Sequence, residues 1–276
     1  MQNGRMPRFR RLRLLLSLAA GGAGAWDAAA AEPAPVTWTV DGVAREGLQV
    51  LPENPPSTGA PVVLVFHGHG GTARNAARSF ALHRHWPDAI IVYPQGLNTP
   101  GRLTDPEGRR PGWQHAAGEQ GDRDLKLVDE ILARLRREQR IDERRIHATG
   151  HSNGGGFTYL LWAQRGAVFA SFAPSAAGGV ALPAARARLE PRPVLHVAGR
   201  ADALVPFAAQ ERTIARVREV NRAGPGDPWA PGCTYHPSPV GAPVVAFVHE
   251  GGHAFPAAAP PLIARFLREH PRPQGP

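Results

Sequence analysis

The sequence predicts an α/β fold with a mostly parallel central sheet covered by helices on both faces. Three observations lead there. Val62-Val63-Leu64-Val65-Phe66 and Ala89-Ile90-Ile91-Val92-Tyr93 are unbroken apolar runs rich in β-branched residues, the pattern of strands buried on both faces. Stretches with helical patterning alternate with such runs, as parallel strands joined by crossover helices require. The 276 residues, 42% of them hydrophobic, suffice for one domain with a large core.

Residues 1–31 read as a cleavable secretory signal, and residues 32–276 as one domain. Arg5, Arg8, Arg10, Arg11 and Arg13 form a basic start, Leu14 to Ala25 is a short apolar run, and Ala29-Ala30-Ala31 offers a small-residue cleavage site. The run is too short to span a bilayer comfortably. Secretion to the periplasm or medium is therefore expected, with no stable membrane association after cleavage. Arg10-Arg11 would fit twin-arginine export, but so arginine-rich a segment produces such pairs by composition alone. Removing its five arginines and one aspartate lowers the formal charge from +9 to +5. The remaining arginines alternate with acids, as along Glu130 to Arg145, which describes a solvated helix face. No basic block with interleaved aromatics occurs, so nucleic acid is not an expected partner. Cys233 is the single cysteine, so no intramolecular disulfide can form.

Thr37 to Val40 and Val43 to Leu51 flank Asp41-Gly42, a hairpin signal. The strand at Val62–Phe66 leads into a helix from Ala73 to Trp86, and the strand at Ala89–Tyr93 follows. Pro94 to Arg123, about thirty residues rich in Gly and Pro, is long enough to suggest a functional loop. Asp124 to Gln139 is an amphipathic helix with Asp124 as its N-cap. Ile146–Thr149 is a strand and Gly154–Gln164 a helix. Val168–Ala173 and Val194–Ala198 are strands, and Ala208–Asn221 is a helix. Gly224–Pro243 reads as a Pro-rich surface excursion or lid. Val244–Val248 is the last strand, Pro261–Glu269 the last helix, and Pro271–Pro276 a frayed tail.

Gly150-His151-Ser152-Asn153-Gly154 matches G-x-S-x-G where a strand gives way to a helix. In that context the serine sits on a sharp turn with its hydroxyl above the sheet, as in the α/β-hydrolase fold, and a Cβ at either glycine would crowd the turn. Such a nucleophile needs a base and a group to orient it, in the chain order serine, acid, histidine. Asp202 follows the Val194–Ala198 strand and faces the crevice where these sheets place their sites. The rival Asp227 has no strand before it. Among later histidines, His270 lies in the tail, His236 lies amid prolines and His249 ends a strand. His253 lies on a glycine-rich loop after that strand, as the base should. The amide of Asn153 and that of His69, in the loop after the Val62–Phe66 strand, are the expected oxyanion donors, each worth about 3–4 kcal/mol in the transition state.

His249-Glu250-Gly251-Gly252-His253 also fits the H-E-x-x-H zinc pattern. That chemistry needs a helix. The preceding strand run, the two glycines at about 1 kcal/mol each and Pro256 argue against one, and no metal site is expected.

Six motifs occur in one order: HGHGG at 67–71, YPQG at 93–96, GW at 112–113, ATGHSNGG at 148–155, GRADALVPF at 199–207 and GGHAFP at 251–256. Together, over roughly residues 36 to 270, they resemble the secreted α/β-hydrolases of the polyhydroxybutyrate depolymerase-like, feruloyl and acetylxylan esterase (LpqC-like) group. The resemblance implies a serine carboxylic-ester hydrolase with Ser152, Asp202 and His253 as the triad and His69 and Asn153 at the oxyanion hole. It implies feruloyl or acetyl esters of plant polysaccharide, or hydroxyalkanoate polyesters, as substrates, and no cofactor. It puts Trp113 near the cleft, where its ring either stacks on substrate or pins its own loop. Many secreted relatives carry a cysteine where this chain has His69, which removes one possible disulfide. No separate binding module is expected, which favours small or oligomeric esters over crystalline polymer. A serine peptidase on the same triad and a non-catalytic ligand-binding protein on this scaffold are the alternatives.

Overall fold

The computed structural model describes Met1 and residues 31–101, 103–178 and 189–273. The leader reading therefore lies, apart from its two end residues, outside the described residues.

The strands are β1 (Ala34–Val40), β2 (Val43–Val50), β3 (Ala60–Phe66), β4 (Ile90–Pro94), β5 (Leu97–Asn98), β6 (Pro111–Gly112), β7 (Ile141–His151), β8 (Ser171–Ser175), β9 (Val194–Gly199), β10 (Asp227–Ala230), β11 (Cys233–His236) and β12 (Val244–His249). The helices are α1 (Ala73–Phe80), α2 (Leu82–His85), α3 (Arg123–Glu138), α4 (Asn153–Arg165), α5 (Phe207–Val220) and α6 (Ala259–Glu269). Ten strands form one sheet in the order β1-β2-β4-β3-β7-β8-β9-β12-β11-β10. The six from β4 to β12 run parallel, and antiparallel pairs extend both edges.

Each central strand is apolar throughout because it feeds two cores. Val62, Leu64 and Phe66 of β3 face one core, with α3 and α4 residues such as Ile131 and Phe157. Val63 and Val65 face the other, with Phe80 of α1 and Phe266 of α6. This is the period-two alternation of a strand packed on both faces. The β1–β2 hairpin turns at Asp41 and Gly42, both with positive φ.

Four expectations change. The helix over 73–86 divides into α1 and α2 because Ala81 takes a left-handed conformation, φ 42°. Asp124 does not cap α3. Asp122 holds that position, and the Asp124 carboxylate is buried against Arg45 at 2.8 Å. The Gly224–Pro243 excursion is no lid: β10 and β11 continue the sheet beside β12. The tail is tied down as far as Arg272, whose amide donates to the Arg144 carbonyl; residues 274–276 lie outside the described residues.

Arg45 donates to the carbonyls of Arg123 and Gln95 as well as to Asp124, and Asp124 Oδ2 accepts from the Gln114 amide. These bonds stitch both ends of the long 94–123 segment to β2 and α3. Removing one partner of a buried ion pair strands the other charge, which typically costs about 3–5 kcal/mol. Asp124→Ala is accordingly expected to lower unfolding stability by that amount in urea titration. A loss below about 1 kcal/mol would show that this pair does not anchor the segment.

Candidate active site

β7 ends at His151 and α4 starts at Asn153, leaving Ser152 alone in the turn with φ 56° and ψ −118°. A non-glycine residue there stores about 1–3 kcal/mol of strain. The Ser152 amide donates to the Ser175 carbonyl of β8 at 2.8 Å, which pins the turn to the neighbouring strand. The flanking glycines are obligatory. A Cβ on Gly154 would lie 2.3 Å from the Phe66 carbonyl oxygen, and one on Gly150 would lie 2.4 Å from that of Gly154. The turn thus packs directly on the end of β3 and lifts the serine hydroxyl above the sheet.

Asp202 follows β9 and His253 follows β12, two strands paired in parallel, so both residues emerge at the same sheet end as Ser152. His253 Nε2 lies 2.8 Å from Ser152 Oγ, and His253 Nδ1 lies 2.9 Å from Asp202 Oδ2. A carboxylate can only accept, so Nδ1 carries the proton and Nε2 faces the serine hydroxyl as acceptor. Asp202 Oδ1 accepts from the Leu204 and Val205 amides. Burial pushes the Asp202 carboxyl up, but the bonds from His253, Val205 and Leu204 outweigh it and leave its pKa below the ordinary aspartate value. His249 makes neither bond: its Nδ1 accepts from the Gly251 amide at the strand end. Among the described residues no cluster of His, Cys, Asp and Glu could hold a metal ion, so His249, Glu250 and His253 do not converge as ligands.

The loop after β3 is held by its own histidines. His67 donates from Nδ1 to the Gly68 carbonyl, and its Nε2 accepts from the Gly96 amide and the Gln95 side chain. Gln95 Oε1 in turn accepts from the Ala73 amide at the start of α1. The His69 ring donates from Nε2 to the Thr99 carbonyl and accepts at Nδ1 from the Thr104 hydroxyl. His69 therefore latches the hairpin formed by β5 and β6 while its backbone borders the site. The Asn153 amide opens α4, where a first-turn N–H has no acceptor within the helix. Gly68, His69, Ser152, Asn153 and His253 line one cavity of about 480 Å³, an ordinary size for a small-ligand site. Leu103, Ala176, Ala177, Leu204 and Val205 make its walls largely apolar.

Trp113 is not a wall of that cavity, which corrects its placement as a substrate contact. Its ring is fully buried, stacked 5.5 Å from Phe157 and edge-on to Phe66, and its Nε1 donates to the His67 carbonyl. Its backbone exchanges two hydrogen bonds with the Asn153 side chain. It pins the loop and leaves the cleft to Leu103 and Thr104. Sequence reasoning quoted Gln95 within the YPQG motif without giving it a role and did not single out Thr99, Thr104 or Gln210; these residues support the loop and the acid. Gln210 had a visible signal: it falls on the buried stripe of α5 with Thr213, Ile214 and Val217.

Burial holds the pKa of His67, His151 and His196 down to about 4, and that of His147 to about 3. In the unfolded chain each takes up a proton near pH 6.5, so between that pH and about 4 the unfolded state binds more protons. Stability is full above pH 6.5 and falls on acidification, by up to about 1.4 kcal/mol per pH unit for each group. The urea midpoint is expected to drop steadily from pH 6.5 to 4. A flat profile in that window would contradict the neutral state of these rings.

No protein-family model matches the chain. NocK of Nocardia uniformis subsp. tsuyamanensis is 31% identical over 170 residues, which cover 59% of this chain and 45% of that protein. Feruloyl esterase C of Emericella nidulans is 28% identical over 133 residues, 45% of this chain and 43% of that protein. The chain spans between 15% and 57% of the length of the curated relatives it matches. A solved thermostable esterase superposes with a TM-score of 0.60 at 20% identity, covering 87% of this chain and 63% of that one. The chain has the α/β-hydrolase fold.

Proposed function

We propose that the chain is a secreted serine carboxylic-ester hydrolase of the polyhydroxybutyrate depolymerase-like, feruloyl and acetylxylan esterase group. The observation that carries the chemistry is the unbroken line Ser152–His253–Asp202 opening into an apolar cavity. Ser152 attacks the ester carbonyl and His253 Nε2 takes its proton. Asp202 holds the imidazole in the required tautomer and stabilises its charged form. The alkoxide of the tetrahedral intermediate rests against the His69 and Asn153 amides. His253 returns the proton to the leaving alcohol, and water then repeats the sequence on the acyl-enzyme. No step calls for a cofactor. The substrates are feruloyl or acetyl esters of plant polysaccharide, or short hydroxyalkanoate oligomers. The similarity to feruloyl esterase C and the alanine, leucine and valine walls support such acyl groups.

A panel of p-nitrophenyl acetate and butyrate, methyl ferulate, acetylated xylan and a hydroxybutyrate oligomer tests the reading, with peptide amides as controls. Turnover of the p-nitrophenyl esters and at least one natural-type ester, undiminished by EDTA, is expected. Hydrolysis confined to the peptide amides would overturn it in favour of a peptidase. Binding of a panel ester without hydrolysis or fluorophosphonate labelling would overturn it in favour of a non-catalytic binder.

A further inference from the structure

Behind Asp202 runs a second line of buried polar side chains that the reaction described above does not use. Gln210 of α5 donates from Nε2 to Asp202 Oδ2 at 3.0 Å and to the Val205 carbonyl at 2.7 Å. Both partners only accept, so the amide orientation is set: Nε2 faces the acid and Oε1 faces away. Oε1 meets His196 Nε2 of β9 at 3.5 Å, the long link in the chain. His196 must therefore carry its proton on Nε2, which leaves Nδ1 to accept from the Tyr159 hydroxyl of α4 at 2.6 Å. Gln210, His196 and Tyr159 are all fully buried. Burial keeps His196 neutral down to about pH 4 and pushes the Tyr159 phenol up, so neither end gives up or takes a proton near neutrality.

The line closes a ring. α4 begins one residue after Ser152, Tyr159 lies on that helix, and Asp202 returns through His253 to Ser152. Every donor in it points toward Asp202. A carboxylate with this many donors is fixed in rotation, and Oδ2 is aimed at His253.

We propose that Gln210, backed by His196 and Tyr159, is a positioning residue that fixes the Asp202 carboxylate for His253. The inference rests on the esterase reading for its consequence in catalysis, but its core is a statement about the Asp202–His253 bond. Without the Gln210 donor, more of the negative charge on Oδ2 falls on His253, and the carboxylate keeps the Leu204 and Val205 amides on Oδ1 but loses the second donor that aims Oδ2. The imidazole becomes more basic and less well aimed. The other titratable groups about the pair are His151, whose ring lies 5.1 Å from that of His253, and His249 with Glu250, which pairs with Arg200. None of them bonds to Gln210.

The experiment compares the wild-type protein with Gln210→Met and Tyr159→Phe. Proton NMR of the free protein reads the downfield imidazole N–H of the Asp202–His253 bond, and steady-state kinetics read kcat, KM and the acid limb of kcat/KM. For Gln210→Met the resonance is expected to shift and the acid limb to move to higher pH. Its kcat falls on the order of tenfold at unchanged KM. Tyr159→Phe, which leaves Gln210 in place but unhooks His196, shows smaller changes of the same sign. A folded Gln210→Met with wild-type resonance and acid limb overturns the proposal, whatever its melting temperature. If Gln210→Met fails to fold, Tyr159→Phe decides alone by the same two readouts. If the wild-type protein hydrolyses no ester, the esterase reading falls, while the resonance still decides whether Gln210 governs the bond.

Discussion

Ser152→Ala is expected to lower ester hydrolysis by about 10⁴-fold or more while leaving the fold intact. The serine hydroxyl lies 2.8 Å from His253 Nε2, so its loss removes the proposed nucleophile and leaves the His253 ring without that partner. Alanine keeps the Cβ, and so meets the strain at φ 56° with the same contacts on β3 and β8. The residual rate comes from the His69 and Asn153 amides, which still favour the tetrahedral geometry. Initial rates on p-nitrophenyl butyrate, with circular dichroism to confirm folding, measure this. A rate within tenfold of wild type would mean that the ester is cleaved elsewhere.

Asp202→Asn is the second large effect, with an expected loss of about 10⁴-fold in kcat. The reason lies in which atoms can face which partners. The Leu204 and Val205 amides both donate to Oδ1, and they claim the single carbonyl oxygen of an asparagine. Its NH₂ group must then face His253 Nδ1 and the Gln210 amide. Nδ1 becomes an acceptor, the imidazole proton moves to Nε2, and the ring can no longer take the Ser152 proton. His249→Gln, by contrast, is expected to leave kcat within a fewfold, since the His249 ring accepts from the Gly251 amide and bonds to neither Ser152 nor Asp202. Rates for the two variants on one ester provide the comparison. Equal losses would reassign the base.

The convergence of Ser152, Asp202 and His253 was legible because each carries local punctuation. Ser152 has its glycines, and Asp202 and His253 each follow an apolar strand run at the sheet end where Ser152 emerges. The parallel core was legible for the same reason: strands buried on both faces leave no polar alternation to misread. What escaped depends on partners distant in sequence. The ring of Trp113 turns inward because Phe66 and Phe157 leave a slot there, and nothing in Gly112-Trp113 states which side of the loop the ring takes. Asp124 looks like a cap until Arg45, on a strand far upstream, is seen to need a counter-charge. β10 and β11 hid behind prolines, which an edge strand tolerates and a central one does not; Pro228 sits on the outermost strand. Ala81, which breaks the 73–86 helix, has no residue-type signal at all.

The most direct measurement is to treat the protein with a fluorophosphonate, digest it and locate the adduct by mass spectrometry. One phosphonyl group per chain is expected, on the peptide bearing Ser152, and none after Ser152→Ala. A protein that hydrolyses esters yet takes up no label at Ser152, or carries it on another residue, would contradict the assignment of Ser152 as nucleophile.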